Sequence, residues 1–322
     1  MNGNIFISIL VITYNQEAFI SEALDSILMQ KVNFDYEIVV GDDCSTDNTR
    51  GILLDYKSRY SDKIKLIMRN ENLGLMGNYV ETLSECTGKY IAVLAGDDYW
   101  TDPNKLQSQV DILEIHDSCS FACHDLDVVQ FDKKFIRKHS QGRINEHWNT
   151  GEVLNKEILS SPWMVPHPCS IMFKKEYLDL RYLRSLGKIS GEDYPTIVML
   201  CNYGNGYYIN KSMGIYRQSK KSISASRSYA NNENLINEII NTHHFMNNYF
   251  DEKFNKEIKI HLKNQLMNKY EEELNIAIEQ GNILNIVKSF IIMLCKCHDS
   301  KYSFLDVGWL LKDKLKTKFI NE

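Results

Sequence analysis

Ile5-Phe6-Ile7-Ser8-Ile9-Leu10-Val11-Ile12-Thr13-Tyr14-Asn15-Gln16-Glu17 is the stretch on which the fold turns. Residues 5–12 form an apolar, β-branched run, the pattern of a strand covered on both faces. The run gives way at once to polar side chains. The next apolar positions, Ala18, Ile20, Ala23, Leu24, Ile27 and Leu28, recur at helical spacing. Working outward, Tyr36–Val40 predicts a second short buried strand and 49–60 a helix. Lys63–Arg69 predicts a third strand, 77–86 a helix, and Tyr90–Ala95 a fourth strand. Strands alternating with helices imply an α/β fold with a mostly parallel sheet, right-handed crossovers placing the helices on both faces.

The pattern continues less regularly. A helix is expected from Asp102, a strand pair within 119–129, another strand within 162–173, and a helix through 197–201. Beyond about residue 225 the composition shifts to helix-rich sequence with Lys, Glu and Asn between apolar positions. We therefore divide the chain into a catalytic domain, 1–225, and a helical C-terminal region, 226–322. Within the latter, 283–297 is too short and too charged to span a bilayer, which takes about 20 apolar residues. The stretch 309–319 carries Lys312, Lys314, Lys316 and Lys318 on an amphipathic pattern. It reads equally as a solvated terminal helix or as a basic helix resting on an anionic membrane surface.

Composition sets bounds on function. The chain has 322 residues, 43% hydrophobic and 25% charged, with 5 prolines and 16 glycines, as expected of an ordinary globular protein. A net charge of −5 offers no clustered cations for nucleic acid, and no nucleic-acid partner is expected. The 8 cysteines lack the paired spacing of a zinc site. Cys119, Cys123 and His124 lie close together but have no second ligand pair, so they read as buried thiols. With no secretory pattern at the start, a reducing cytoplasm is the expected compartment.

In open parallel sheets the ligand crevice lies beyond the carboxyl ends of the strands. Three such ends are chemically loaded here: Thr13-Tyr14-Asn15, Asp42-Asp43 and Asp97-Asp98. No Gly-rich phosphate cradle follows the first strand; acidic side chains stand in its place. Carboxylates repel a diphosphate unless a divalent cation bridges them, and hard oxygen ligands suit Mg2+ or Mn2+. Asp97 and Asp98 are the metal-facing pair on this reading, and Asp43 would accept a hydrogen bond from a nucleotide base. Transfer of a group from such a diphosphate to a hydroxyl also needs a base for the acceptor proton, and Asp193 in Gly191-Glu192-Asp193 is the candidate. Each acid has a plainer reading: a turn or cap for Asp97-Asp98 and Asp42-Asp43, and a helix N-terminal acid for Asp193.

Taken in order, Ile12–Glu17, Gly41–Thr49, Asn72-Leu73-Gly74 with Asn78, Gly88–Ala92, Gly96-Asp97-Asp98-Tyr99-Trp100, Gly191-Glu192-Asp193 and Tyr216-Arg217 form a pattern. Over roughly residues 5–225 the chain resembles the family 2 glycosyltransferases. The resemblance implies a GT-A-type, Rossmann-like fold and an inverting transfer from a nucleotide diphosphate sugar. It implies that Thr13, Tyr14, Asn15, Glu17 and Asp43 hold a uridine-type nucleotide, that Asp97 and Asp98 serve ribose and metal, and that Asp193 is the base. On the acceptor side it points to His167 and Glu192, and it implies a glycan or lipid-linked acceptor in bacterial surface polysaccharide synthesis. The chain departs from the family at Ala95, where relatives often carry another Asp, and at Ser219, where many carry a His. The Gln-x-x-Arg-Trp signature of processive relatives is absent, so one sugar per encounter is expected. The rival classes are a nucleotidyltransferase, which would carry a Gly-rich basic loop after the first strand, and a non-catalytic sugar-nucleotide-binding module. An oligomeric assembly is compatible with all of these.

Overall fold

The structure is a computed structural model. It describes residues 6–130, 135–137, 149–161, 166–187, 189, 191–218 and 232–266. Strands β1 (Ile7–Thr13), β2 (Tyr36–Asp42), β3 (Ile64–Met68) and β4 (Tyr90–Ala95) alternate with helices α1 (Ile20–Leu28), α2 (Thr49–Arg59) and α3 (Gly74–Leu83). All seven residues of β1 are buried. Its side chains alternate between two cores: Leu10 and Ile12 face one, Ile7, Ile9 and Val11 the other. One core is closed by α3 and later helices, the other by α1, α2 and α4 (Lys105–Ile115). Helix α1 buries Ile20, Ala23, Leu24 and Ile27, one apolar stripe at helical spacing.

After α4 come β6 (Cys119–Gln130), β7 (Phe135–Arg137), β8 (Gly151–Val153) and α5 (Asn155–Ser160), with the two-residue β5 (Tyr99–Trp100) lying before α4. A single turn of 3-10 helix (Pro168–Ser170) then leads into β9 (Met172–Lys174). Helices α6 (Leu180–Ser185) and α7 (Asp193–Cys201), strand β10 (Asn205–Gln218) and helix α8 (Asn232–Tyr249) complete the order, and a further helix covers 255–266. The sheet runs β3-β2-β1-β4-β9-β6-β10-β5, with β7 on β6 and β8 on β10. The β2-β1-β4 centre is parallel, whereas β9 enters antiparallel to both β4 and β6.

The strand pair expected within 119–129 is one long strand. Its partner β10 was hidden because pairing slips between Ile209 and Ser212 and again before Ile215, which breaks the two-residue alternation by which a strand is recognised. Gly88 shows how tightly the β4 entry is packed: a Cβ there would lie 2.4 Å from the Ser8 backbone nitrogen and 2.6 Å from the Ile7 carbonyl carbon. Helix α8 and the helix after it pack on the sheet-bearing body, since Met246, Phe254 and Ile258 belong to the same core as Tyr194 and Ile197. Among the described residues no helix is long and apolar enough to cross a membrane. The stretches 283–297 and 309–319 lie outside the described residues, as does Ser219.

Candidate active site

Parallel pairing brings the three loaded strand ends side by side. Thr13 pairs with Asp42, and Ile12 with Ala95, so the exits of β2, β1 and β4 share one edge.

The first two exits are laced into a single unit. The Asn15 amide donates to Ser45 Oγ at 2.9 Å, and Asn15 Oδ1 accepts from the Thr46 amide at 2.7 Å. The Glu17 amide donates to Asp47 Oδ2 at 3.1 Å, while Glu17 Oε2 accepts from the Asn48 amide at 2.7 Å. The Gln16 amide adds a bond to Thr49 Oγ1 at 2.9 Å. Asn15 holds a positive φ of 52°, one that Asn tolerates better than most residues. Tyr14 is left projecting at 47% exposure, free to meet a ligand.

The two acids after β2 have separate duties. Asp42 Oδ2 is engaged by Arg50 Nε at 2.7 Å and by the Ser45 amide at 3.2 Å. Asp43 is buried, and its two carboxylate oxygens accept from the Leu73 amide at 2.8 Å and the Gly74 amide at 2.9 Å, closing the N-terminus of α3. Carboxylate oxygens have several acceptor positions, so this leaves room for a base N–H as well.

At the third exit Asp98 is buried and Asp97 half-buried. Burial raises the Asp97 carboxyl above the usual range, partly opposed by the Arg217 charge. Asp98 is pushed well above that range by burial and then by the neighbouring Asp97. Arg217 is the local counterweight. Its amide donates to Asp98 Oδ1 at 2.9 Å, while its guanidinium reaches the Asp97 carbonyl and the Glu22 carboxylate and stacks over Tyr99 with 4.5 Å to the ring centre. Beside them two buried oxygens, Thr13 Oγ1 and Gln16 Oε1, have no hydrogen-bond partner in the protein. Gly96 makes this approach possible, since a Cβ there would fall 2.4 Å from Gln16 Oε1 and 2.9 Å from Thr13 Cβ.

His167 and Cys169 complete this corner. His167 heads the 3-10 turn, its Nδ1 lying 3.4 Å from the Cys169 amide that donates to it and 3.1 Å from Cys169 Sγ. Nδ1 is also 4.0 Å from Asp98 Oδ2, and the ring packs on Tyr216 with 4.2 Å between centres. Burial drops the imidazole to about 4, with Asp193 partly opposing, so the ring is neutral near pH 7. Cys169 is fully buried, and its carbonyl accepts from Trp100 Nε1 at 2.8 Å. Oxygen of Asp98, nitrogen of His167 and sulfur of Cys169 lie within 4.8 Å of one another. Crowded buried carboxyls beside a neutral imidazole are donors that fit a divalent cation.

Asp193 opens α7 and is exposed, while the other eight residues of that helix are buried. Its Oδ1 accepts from the Tyr194 amide at 2.8 Å. Its charge partly opposes the lowering of the His167 imidazole. Glu192 is half-buried, and its carbonyl takes the Thr196 amide and hydroxyl. Arg217, Gln16 and Cys169 were not singled out as site residues from sequence. Of these, Gln16 and Arg217 had a signal, their places in Ile12–Glu17 and Tyr216-Arg217, and Cys169 had none.

The sequence pattern of the family described as Glycosyl transferase family 2 matches residues 8–181. An uncharacterised protein of Mycobacterium tuberculosis is 42% identical over 125 residues, which is 39% of this chain and 36% of that protein. An uncharacterised glycosyltransferase of Nostoc is 30% identical over 179 residues, 54% of this chain and 52% of that protein. The matched stretches thus span between about a third and a half of these relatives. Among solved structures, S. aureus TarS 1-349 in complex with UDP-GlcNAc superposes with a TM-score of 0.68 at 17% identity, covering 97% of this chain and 90% of that one. A mannosyltransferase of Pyrobaculum calidifontis in complex with GDP-Man and Mn2+ gives 0.55 at 16% identity, covering 100% and 89%. At such identities the likeness is one of fold: a mostly parallel sheet between helices, with a helical C-terminal portion.

Proposed function

The chain belongs to glycosyl transferase family 2, and from that premise we propose that it moves one sugar from a UDP-type donor to a hydroxyl of a glycan or lipid-linked acceptor, with inversion. The observation that carries this reading is the shared edge of β2, β1 and β4, at which Thr13, Asp43 and the Asp97-Asp98 pair stand.

The nucleoside lies against Tyr14 and Asp43, in the crevice whose walls are the laced loops. Thr13 Oγ1 and Gln16 Oε1 are acceptors awaiting donors, and ribose hydroxyls are suitable ones. Asn15 and Glu17 act by holding the loops in register. Asp97 takes the ribose side and Asp98 the cation side. A divalent cation, when bound, offsets the charge that builds on the departing diphosphate. Arg217 fixes both acids through its amide and guanidinium. Asp193 accepts the proton of the acceptor hydroxyl as that oxygen bonds to the anomeric carbon and the bond from that carbon to the phosphate oxygen breaks. His167 and Glu192 border the acceptor side.

TarS was solved with a UDP-sugar, and the Pyrobaculum enzyme with a GDP-sugar and Mn2+. Both fit a site of this kind. We assign the wider role to cytoplasmic synthesis of bacterial surface polysaccharide, non-processive, with the catalytic unit in 1–225 and a helical unit in 226–322 that can meet the membrane peripherally. The test is Asp193→Asn. Transfer is expected to fall by a factor of at least about 100, the usual share of a general base, with UDP-sugar protection against thermal unfolding unchanged. Retained turnover removes Asp193 from its role.

A further inference from the structure

We propose that the cation seat of this chain is the triad Asp98, His167 and Cys169, and that its thiol and imidazole donors select borderline ions such as Zn2+ and Co2+ over Mg2+. The inference rests on the reading above only in taking the cation to serve the donor diphosphate.

Three placements carry it. First, the carboxylate of Asp98 is divided: Oδ1 is tied by the Arg217 amide at 2.9 Å, which leaves Oδ2 turned toward His167 Nδ1, 4.0 Å away. Second, His167-Pro168-Cys169 is wound into a 3-10 turn that folds the histidine over the cysteine, with Nδ1 and Sγ 3.1 Å apart. Third, O, N and S all lie within 4.8 Å, and among the described residues no other group of His, Cys, Asp and Glu side chains gathers in this way. Tetrahedral ligands on a zinc-sized ion stand roughly 3.3–3.7 Å apart, given metal–ligand bonds of about 2.0–2.3 Å. The observed separations bracket that spacing, so small rotations of the two side chains close the seat.

The chemistry of the donors then decides the ion. Mg2+ prefers oxygen ligands and dehydrates reluctantly. A thiolate and an imidazole favour Zn2+ and its neighbours. The thiol releases its proton to solvent as the ion enters. Three protein ligands leave a further position for a diphosphate oxygen, the arrangement of a catalytic rather than a structural zinc site. Asp97 stands outside the triad.

The experiment is a titration of the metal-stripped full chain with Co2+, read by electronic absorption. The expected result is a near-ultraviolet thiolate-to-cobalt band that is abolished by Cys169→Ser and displaced by Zn2+, but not by Mg2+ at roughly thousandfold excess. His167→Ala is expected to weaken Co2+ binding at least tenfold. X-ray absorption of the Zn2+-loaded wild type needs no variant, and should show one sulfur neighbour at about 2.3 Å. A Co2+ complex without the band, or a zinc shell without sulfur, overturns the triad. UDP protection against unfolding, measured in parallel with and without Mn2+, separates the two readings. Metal-dependent protection without the sulfur signature leaves the transferase reading standing and removes the triad. The sulfur signature without any nucleotide protection does the reverse.

Discussion

Asp43 separates a ligand-binding role from a scaffolding one. Its carboxylate accepts the Leu73 and Gly74 amides at 2.8 and 2.9 Å, and its own burial leaves only 3% exposure. In Asp43→Ala both amides lose a charged acceptor. Each such bond contributes about 1.5–3 kcal/mol. Leu73 and Gly74 are only half-buried, so water recovers part of the loss and the lower end applies. The sum is about 3 kcal/mol, to which the lost charge at the α3 N-terminus adds up to roughly 1 kcal/mol. With a urea slope of about 2–3 kcal/mol/M, the unfolding midpoint should fall by about 1–2 M. Far-UV circular dichroism through a urea series gives that midpoint directly. Asp43→Asn keeps one acceptor oxygen and should lie near half the shift. If Asp43→Ala moves the midpoint by less than about 0.3 M while abolishing UDP binding, the carboxylate serves the ligand alone and the cap argument is wrong.

The buried acids at the third exit set a pH dependence. The Asp97 and Asp98 carboxyls are raised in the folded state. The stability they contribute is therefore complete below the unfolded aspartate value of about 3.9 and is lost as pH climbs through the raised folded values. In metal-free protein, Asp98→Asn should gain stability over wild type progressively as pH rises above about 4, and a pH-independent difference in melting temperature would contradict this. Gly96→Ala should fold but crowd Gln16 and Thr13, whose atoms stand 2.4–2.9 Å from the added carbon. Overpacking of this kind costs about 1–3 kcal/mol, and calorimetry should show UDP affinity lowered by at least about tenfold; unchanged affinity would place the nucleotide elsewhere.

The β1–β4 half of the fold was legible because β1, β2 and β4 are buried on both faces and apolar positions recur at helical spacing in α1. Tyr90–Ala95 was located to the residue, and the other strand and helix limits shifted by a few positions. The second half was harder. Strand β10 has three pairing slips, β9 has three residues, and β5 has two, so none presents a period long enough to count. The strand-end acids were visible as chemistry without their partners. That Asp43 grips α3, or that Cys169 meets Asp98 and His167, depends on contacts between segments far apart in sequence, and no local spacing encodes them. Ala95 and Ser219 depart from the pattern that the resemblance implies, but nothing beside them in sequence points to His167 or Cys169.

The lacing of Asn15 and Glu17 to the 45–48 turn limits how this crevice can diversify. An insertion or deletion in either loop would unseat bonds belonging to the other, so neither can change length alone. Descendants of this chain that take up a different donor would have to get there by single side-chain exchanges at the lip, with Tyr14 the residue most free to change.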